Sequence, residues 1–234
     1  MKTKRFSQTL LASAMLLAVH GSAWSAAINL NTWSEQGPPA NGTWTVAADG
    51  SNVFQSINGQ PTFFVSPDNF INTTFEGKFG VETTSDNDYI GFIFGSTSAV
   101  TATTSNMFLF DWKQGLQSGS QPGFTLSEVT GGANSIPFAN HQTDATGYDV
   151  LASNTGVGWL DNTVYDFFLT YQTNRILIEL EGGQFLTKTT IFDIANPDND
   201  NPSGKFGSTT SLKQVSGTKG SRKMLRRPTL PYLL

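Results

Sequence analysis

The stretch Tyr89-Ile90-Gly91-Phe92-Ile93-Phe94-Gly95 is apolar on both of its alternating faces. A strand of that kind has no wet side and belongs in the middle of two packed sheets. Just upstream, Phe75, Gly77, Phe79 and Val81 alternate with Glu76, Lys78, Gly80 and Glu82, giving one buried and one solvated face. Working outward, apolar residues recurring at period two predict strands over 61–66, 107–112, 124–129, 164–172, 175–180 and 185–192. Turn clusters divide them at Ser85-Asp86-Asn87-Asp88, Gly131-Gly132, Thr173-Asn174 and Gly182-Gly183. Thr173-Asn174, set between two alternating runs, predicts a tight hairpin. No long segment of the body carries a helical stripe. So many short strands predict an all-β fold, an antiparallel β-sandwich.

The composition agrees and narrows the chemistry. At 234 residues one domain is the default, and Gly, Thr, Asn and Phe suit strands and turns. The absence of cysteine removes disulfide scaffolds, thiolate zinc sites and cysteine nucleophiles together. Two histidines, one of them His20, are too few for a histidine-built metal site. The net charge of −4 has the wrong sign for a basic nucleic-acid binder. That net value hides two polymers. Lys78, Lys113, Arg175 and Lys188 face all 18 carboxylates within residues 28–204, a body of −14, while Lys205 and six further cations follow with no acid.

The first 27 residues read as a secretory signal. Lys2, Lys4 and Arg5 precede an apolar run over 10–19, and Ala23-Trp24-Ser25 and Ser25-Ala26-Ala27 offer small residues for cleavage. Such a run is too short to span a hydrocarbon core of about 30 Å. The expectation is a secreted or cell-surface protein of bacterial type, with no transmembrane segment once the signal is removed.

Several of these words resemble the C-terminal domain of thrombospondins. They are Phe75-Glu76-Gly77-Lys78-Phe79, Asp86-Asn87-Asp88-Tyr89-Ile90-Gly91-Phe92-Ile93-Phe94-Gly95 and Trp112-Lys113-Gln114. Downstream, His141-Gln142-Thr143 and Val157-Gly158-Trp159 stand in the family's order, and Trp44-Thr45-Val46, Val53-Phe54-Gln55 and Asn58-Gly59 resemble its opening strands. The resemblance covers roughly residues 44–207. It implies a concanavalin A-like jelly roll that binds calcium, here in a bacterial, exported, stand-alone version.

The resemblance stops after Gly207. The family closes with Gly-x-x-Gly and an aromatic strand; Gly204-Lys205-Phe206-Gly207 is present, but residues 208–214 do not read as that strand. Possible codons for the following residues, read with one T restored, permit Gly-Phe-Tyr-Asn-Phe-Ser-Gln-Ala. The expectation is therefore a signal peptide over 1–27, a sandwich over 28–207 and a basic, non-native or disordered tail over 208–234, displaced in frame. A basic tail that binds an anionic surface is the alternative.

Asp86, Asn87 and Asp88 are the candidate metal ligands. A turn can bring carboxylates and a carbonyl together around a hard cation such as Ca²⁺, although Asp and Asn are also the ordinary residues of a solvated turn. The resemblance favours calcium, with Asp86 and Asp88 as preferred ligands. Asp198-Asn199-Asp200-Asn201 is a second oxygen-rich stretch, but it lacks the glycine and closing glutamate of an EF-hand loop. Glu179 and Glu181 share a strand face without the Glu-x-Asp-x-x-Glu run of sandwich glycosidases. His141 has no nucleophile placed beside it by a recognisable motif, and Trp112, Trp159 and Tyr171 are either core or a sugar-stacking platform. The expected function is a non-enzymatic, calcium-binding adhesion or recognition module whose partner is a cell-surface or matrix protein or glycan, with no role for nucleic acid. The alternative is a carbohydrate-binding, lectin-like module of the extracellular matrix, which exposed aromatics beside the metal loop would favour. A glycoside-active enzyme would need two facing carboxylates.

Overall fold

The computed structural model describes residues 28–211 and 222–226, apart from 58, 83, 85, 86 and 138. The expected signal segment lies outside the described residues, and so does Asp86. Fourteen strands are described, with two short 3-10 turns at Leu30–Thr32 and Ala133–Ser135. They are β1 (Ser34–Gln36), β2 (Trp44–Val46), β3 (Asn52–Gln55), β4 (Thr62–Phe70), β5 (Thr73–Val81), β6 (Tyr89–Ser96) and β7 (Asn106–Lys113). Then come β8 (Gly123–Thr130), β9 (Tyr148–Thr155), β10 (Val164–Gln172), β11 (Arg175–Gly182), β12 (Phe185–Ala195), β13 (Gly204–Ser211) and β14 (Arg222–Arg226).

They form two seven-stranded sheets, ordered β1-β4-β13-β6-β7-β8-β9 and β12-β11-β10-β5-β14-β3-β2, and every pairing is antiparallel. The predicted hairpin closes where Thr173-Asn174 stands, with Gln172 opposite Arg175. Strand β6, apolar on both faces in the sequence, lies between β13 and β7 and is buried along its whole length. Its Ile90, Phe92 and Phe94 point into the core between the sheets. Its Ile93 points the other way, into a second cluster with Val65, Leu109 and Val129. The long β8–β9 connection covers that second cluster through Ala133 and Ile136.

The main core is aromatic. Phe206 of β13 stacks on Phe75 of β5 at 4.5 Å between ring centres and also meets Phe92 and Phe167 at 5.5 and 6.0 Å. Trp112 packs on Phe124 at 4.6 Å and edge-on to Tyr165 at 4.6 Å. Full burial of such a side chain stabilises the fold by about 1.5–3 kcal/mol, and offset or edge-on ring pairs add about 0.5–1.5 kcal/mol each.

The boundary expected at Gly207 falls inside β13, which runs on through residues 208–211 although they are not aromatic. Ser208 pairs with Phe64 on one side and Phe92 on the other, and Thr209 with Phe63 and Gly91. The ladder is made by backbone groups, which Ser and Thr supply as well as aromatics do, and Thr is among the residues favoured in strands. Further along, the backbone of β14 pairs with β3 and β5, setting Met224 opposite Val53 and Phe79. The tail thus contributes strand backbone to both sheets.

Candidate functional site

One end of the sandwich gathers four connections. Strand β6 begins there opposite the end of β7, and β10 begins opposite the end of β5, since Tyr89 pairs with Lys113 and Val164 with Gly80. The β5–β6, β7–β8 and β9–β10 loops and the β11–β12 turn therefore project together. They are bolted to one another. Trp159 Nε1 donates to the Asp88 carbonyl at 3.1 Å, and the Gln114 amide donates to the same oxygen at 3.2 Å. Trp112 Nε1 donates to the Val157 carbonyl at 2.8 Å, and Gln114 Nε2 to Asp161 Oδ1 at 2.9 Å. Tyr165 Oη receives the Leu160 amide at 2.9 Å and reaches Gln184, whose Nε2 donates to the Gly158 carbonyl at 2.9 Å. Gly158 passes so close to β7's exit that a Cβ there would lie 1.8 Å from the Gln114 carbonyl oxygen. Only glycine allows that approach.

A buried polar seam runs from these loops along β7, under the β8–β9 connection that carries His141. Asp111 and Lys113 sit on the same face of β7, because side chains alternate along a strand, and both are buried there with His141. His141 Nδ1 faces Asp111 Oδ2 at 2.7 Å, and its Nε2 faces the Pro137 carbonyl at 2.7 Å. Both ring nitrogens are thus occupied by neighbouring oxygens inside the protein, and neither is turned to an open space where a substrate could reach it. Tyr89 stacks on the imidazole at 3.9 Å between centroids, donates to the Ala139 carbonyl at 2.8 Å and makes a close contact with Ser120 Oγ. Burial pushes the Tyr89 phenol up to about 12, so it stays protonated at neutral pH. The Lys113 ammonium donates to the Asn87 carbonyl and, at 2.8 Å, to Gln117 Oε1, and it stands 3.8 Å from Asp88 Oδ1.

Of the three sequence-predicted metal ligands, Asn87 and Asp88 are described and lie at this end. Asn87 Oδ1 is buried with no hydrogen-bond partner among the described residues. The Asp88 carboxylate is buried and faces Lys113. A hard cation wants about six to eight oxygens, so an orphaned amide oxygen beside a carboxylate suits calcium in donor chemistry. Among the described residues no three His, Cys, Asp or Glu side chains converge on a metal position, so the remaining oxygens would be carbonyls, amides or the Asp86 carboxylate.

Apolar side chains are exposed at this end. Large exposed apolar side chains are Leu116, Leu151, Val157, Leu160, Val164 and Leu186. All but Leu151 sit on the loops or strand starts of this one end. None is aromatic. Trp112, Trp159 and Tyr171, the candidate sugar platform, are core instead, each about 0–1% exposed and each with its polar atom hydrogen-bonded. Glu179 and Glu181 lie partly exposed on the outer face of β11, opposite Phe168 and Asp166. The stretch from Asp198 to Asn201 is braced by Asn196, whose Nδ2 donates to Asp200 Oδ1 at 2.8 Å and to Asn201 Oδ1 at 3.0 Å. Sequence reasoning missed Lys113 as part of this site. The available signal was its parity with Asp111 on a strand whose two faces are both covered.

A fourteen-stranded sandwich of this kind, with rigid loops at one end, is a concanavalin-like lectin fold. The exoplasmic/lumenal domain of VIP36 in its Ca²⁺-bound form superposes with a TM-score of 0.54 at 13% identity, over 86% of this chain and 90% of that one. The carbohydrate-binding module CBM66 from Bacillus subtilis gives a TM-score of 0.53 at 13% identity, over 83% and 92%. The chain belongs to the thrombospondin C-terminal region family, which matches residues 39–210. Cartilage oligomeric matrix protein of Rattus norvegicus is 31% identical over 144 residues, 55% of this chain and 18% of that protein. Thrombospondin-3b of Danio rerio is 31% identical over 160 residues, 61% and 17%. The chain thus spans less than a fifth of the curated relatives it matches. Family and fold neighbours together point to a non-catalytic binding module.

Proposed function

We propose that the protein is an exported recognition module that docks a protein partner, of the cell surface or matrix, onto the apolar loop end of its sandwich. The observation that carries this reading is the exposure of Leu116, Val157 and Leu160 on the loops, and of Val164 and Leu186 at the strand starts, of one end whose loops are tied together by buried hydrogen bonds. Exposed apolar side chains concentrated in one place mark interaction sites. A surface already fixed by buried hydrogen bonds loses little freedom on binding. The aliphatic character of that surface favours a protein over a glycan, since sugar rings are held by exposed aromatic faces. The reading of residues 1–27 as a signal supports export.

Calcium belongs to the same proposal. Asp86, Asn87 and Asp88 would hold it, and the ion's contribution is to pin the β5–β6 loop beside the docking surface. Thermal melting checks this: millimolar calcium raises the midpoint relative to chelator, as any ligand of the native state alone does, and Asp86→Ala abolishes the difference. A midpoint indifferent to calcium removes the metal from the proposal.

The docking surface is tested with the purified protein against immobilised matrix proteins and against a glycan array. Leu116→Ser with Leu160→Ser is expected to abolish protein binding without moving the melt. Binding confined to the glycan array and untouched by the double variant would replace this reading with the carbohydrate-binding one. The tail from Ser208 onward is part of the proposal as a displaced reading frame, supported by its acid-free run of cations. Resequencing the gene with no base missing after the Gly207 codon ends that part.

A further inference from the structure

Lysine is seldom buried without a reason, yet Lys113 is 1% exposed. It is one of only four cations among residues 28–204. The strand β7 ends on it, and its side chain runs under the loops instead of out to water. What surrounds its ammonium is oxygen from two different connections. The Asn87 carbonyl and the Asp88 carboxylate come from the β5–β6 loop, and Gln117 Oε1 comes from the β7–β8 loop. The Tyr89 ring lies with its centroid 5.0 Å from the nitrogen, adding a face that attracts cations. Three rotatable N–H donors on a compact charge suit such a cage, because each can turn to a different acceptor.

We propose that the Lys113 ammonium is the resident cation of the β5–β6 loop. It gathers the oxygens of residues 87 and 88 when no metal is present and competes with a divalent cation for them. The first half stands on the geometry alone; the second rests on the calcium reading above. The reasoning is electrostatic. The Asn87 carbonyl oxygen is the negative end of a dipole and the Asp88 carboxylate a negative charge, in a body of −14, and Lys113 supplies positive charge to them from within the chain. A calcium ion drawing on Asp88 would share that carboxylate with the ammonium 3.8 Å from its Oδ1, and two cations drawing on one carboxylate repel each other in a partly buried site. Lys113 therefore holds residues 87 and 88 in place without metal and weakens the metal's hold. The loop end would then remain a formed docking surface across a wide range of calcium concentration.

Lys113→Met in the full chain keeps most of the apolar stem and removes the charge. In chelator, amide hydrogen exchange at residues 87–89 is expected to accelerate at least about tenfold relative to the parent protein. In calcium, protection is expected to return. Calorimetric titration is expected to show calcium binding at least about tenfold tighter in the variant, the scale set by removing one nearby unit charge. Gln117→Ala removes one oxygen of the cage without touching the lysine, and it should move exchange in chelator the same way by a smaller factor. This second variant decides the question where Lys113→Met does not fold.

Unchanged exchange in chelator for both variants overturns the resident-cation role. Calcium binding of equal or lower affinity in Lys113→Met overturns the competition. If neither the parent nor the variant binds calcium at all, the calcium reading fails. The resident-cation role then stands or falls on the exchange measurement alone.

Discussion

Asp111 illustrates what single side chains do in this protein. It is a buried carboxylate whose partner is His141, and the imidazole is sandwiched by Tyr89 while its own carbonyl accepts from Tyr148 at 3.0 Å. Removing one partner of a buried, hydrogen-bonded pair leaves the other stranded in low dielectric. Asp111→Ala is therefore expected to cost about 3 kcal/mol, read as a lowered urea midpoint with an unchanged slope. A loss below about 0.5 kcal/mol would mean that His141 is not held by this contact. The acid turn was legible in the sequence because Asp-Asn-Asp between strands is conspicuous. Lys113 was not, because a lysine at a strand end ordinarily points to water, and only three-dimensional convergence of two loops gives it oxygen partners.

Strands were legible where burial alternates. Strands β5, β10 and β11 carry that pattern, β6, β7 and β8 showed instead as short apolar runs between turn clusters, and the structure places each within a residue or two of its expected span. The strands that escaped were those whose side chains carry no pattern. Strand β1 is Ser-Glu-Gln, and β9, at the edge of its sheet, is largely solvated with alternation too weak to read. The end of β13 escaped for a related reason: its Ser and Thr residues owe their strand conformation to neighbours on both sides. A truncation series tests what these late strands contribute. Ending the chain after Ser203 leaves β4 and β6 without their shared partner and removes Phe206 from the core, so no cooperative melt is expected. Ending it after Ser211 keeps that sheet whole but opens the other between β5 and β3, and a lowered, broadened melt is expected. Equal melts for the two truncations would show that β13 is dispensable.

At the scale of the molecule, phenols are built into both of its buried clusters. Tyr89, Tyr148, Tyr165 and Tyr171 are four of the five tyrosines, and burial raises all four above the ordinary phenol value. A raised folded-state value means that ionisation favours the unfolded chain. The stability these groups contribute is full below about pH 10, the ordinary value, and is lost as pH climbs toward the folded ones, about 12 for Tyr89. The melting midpoint should fall steeply above about pH 10, with phenolate absorbance from these four appearing only as the protein unfolds. Ordinary titration of all the tyrosines in a protein that keeps its native near-ultraviolet dichroism would contradict their burial.

The positions of β13 and β14 also govern timing. Each fills an interior place in its sheet, yet each is synthesised after some two hundred residues have left the ribosome. Until then both sheets carry a gap, and neither can close over the aromatic core. Chains generally begin folding from the N-terminus as they emerge, but here the sandwich has to wait. Were the chain exported as proposed, that delay would keep it loose and threadable until its last strands are made.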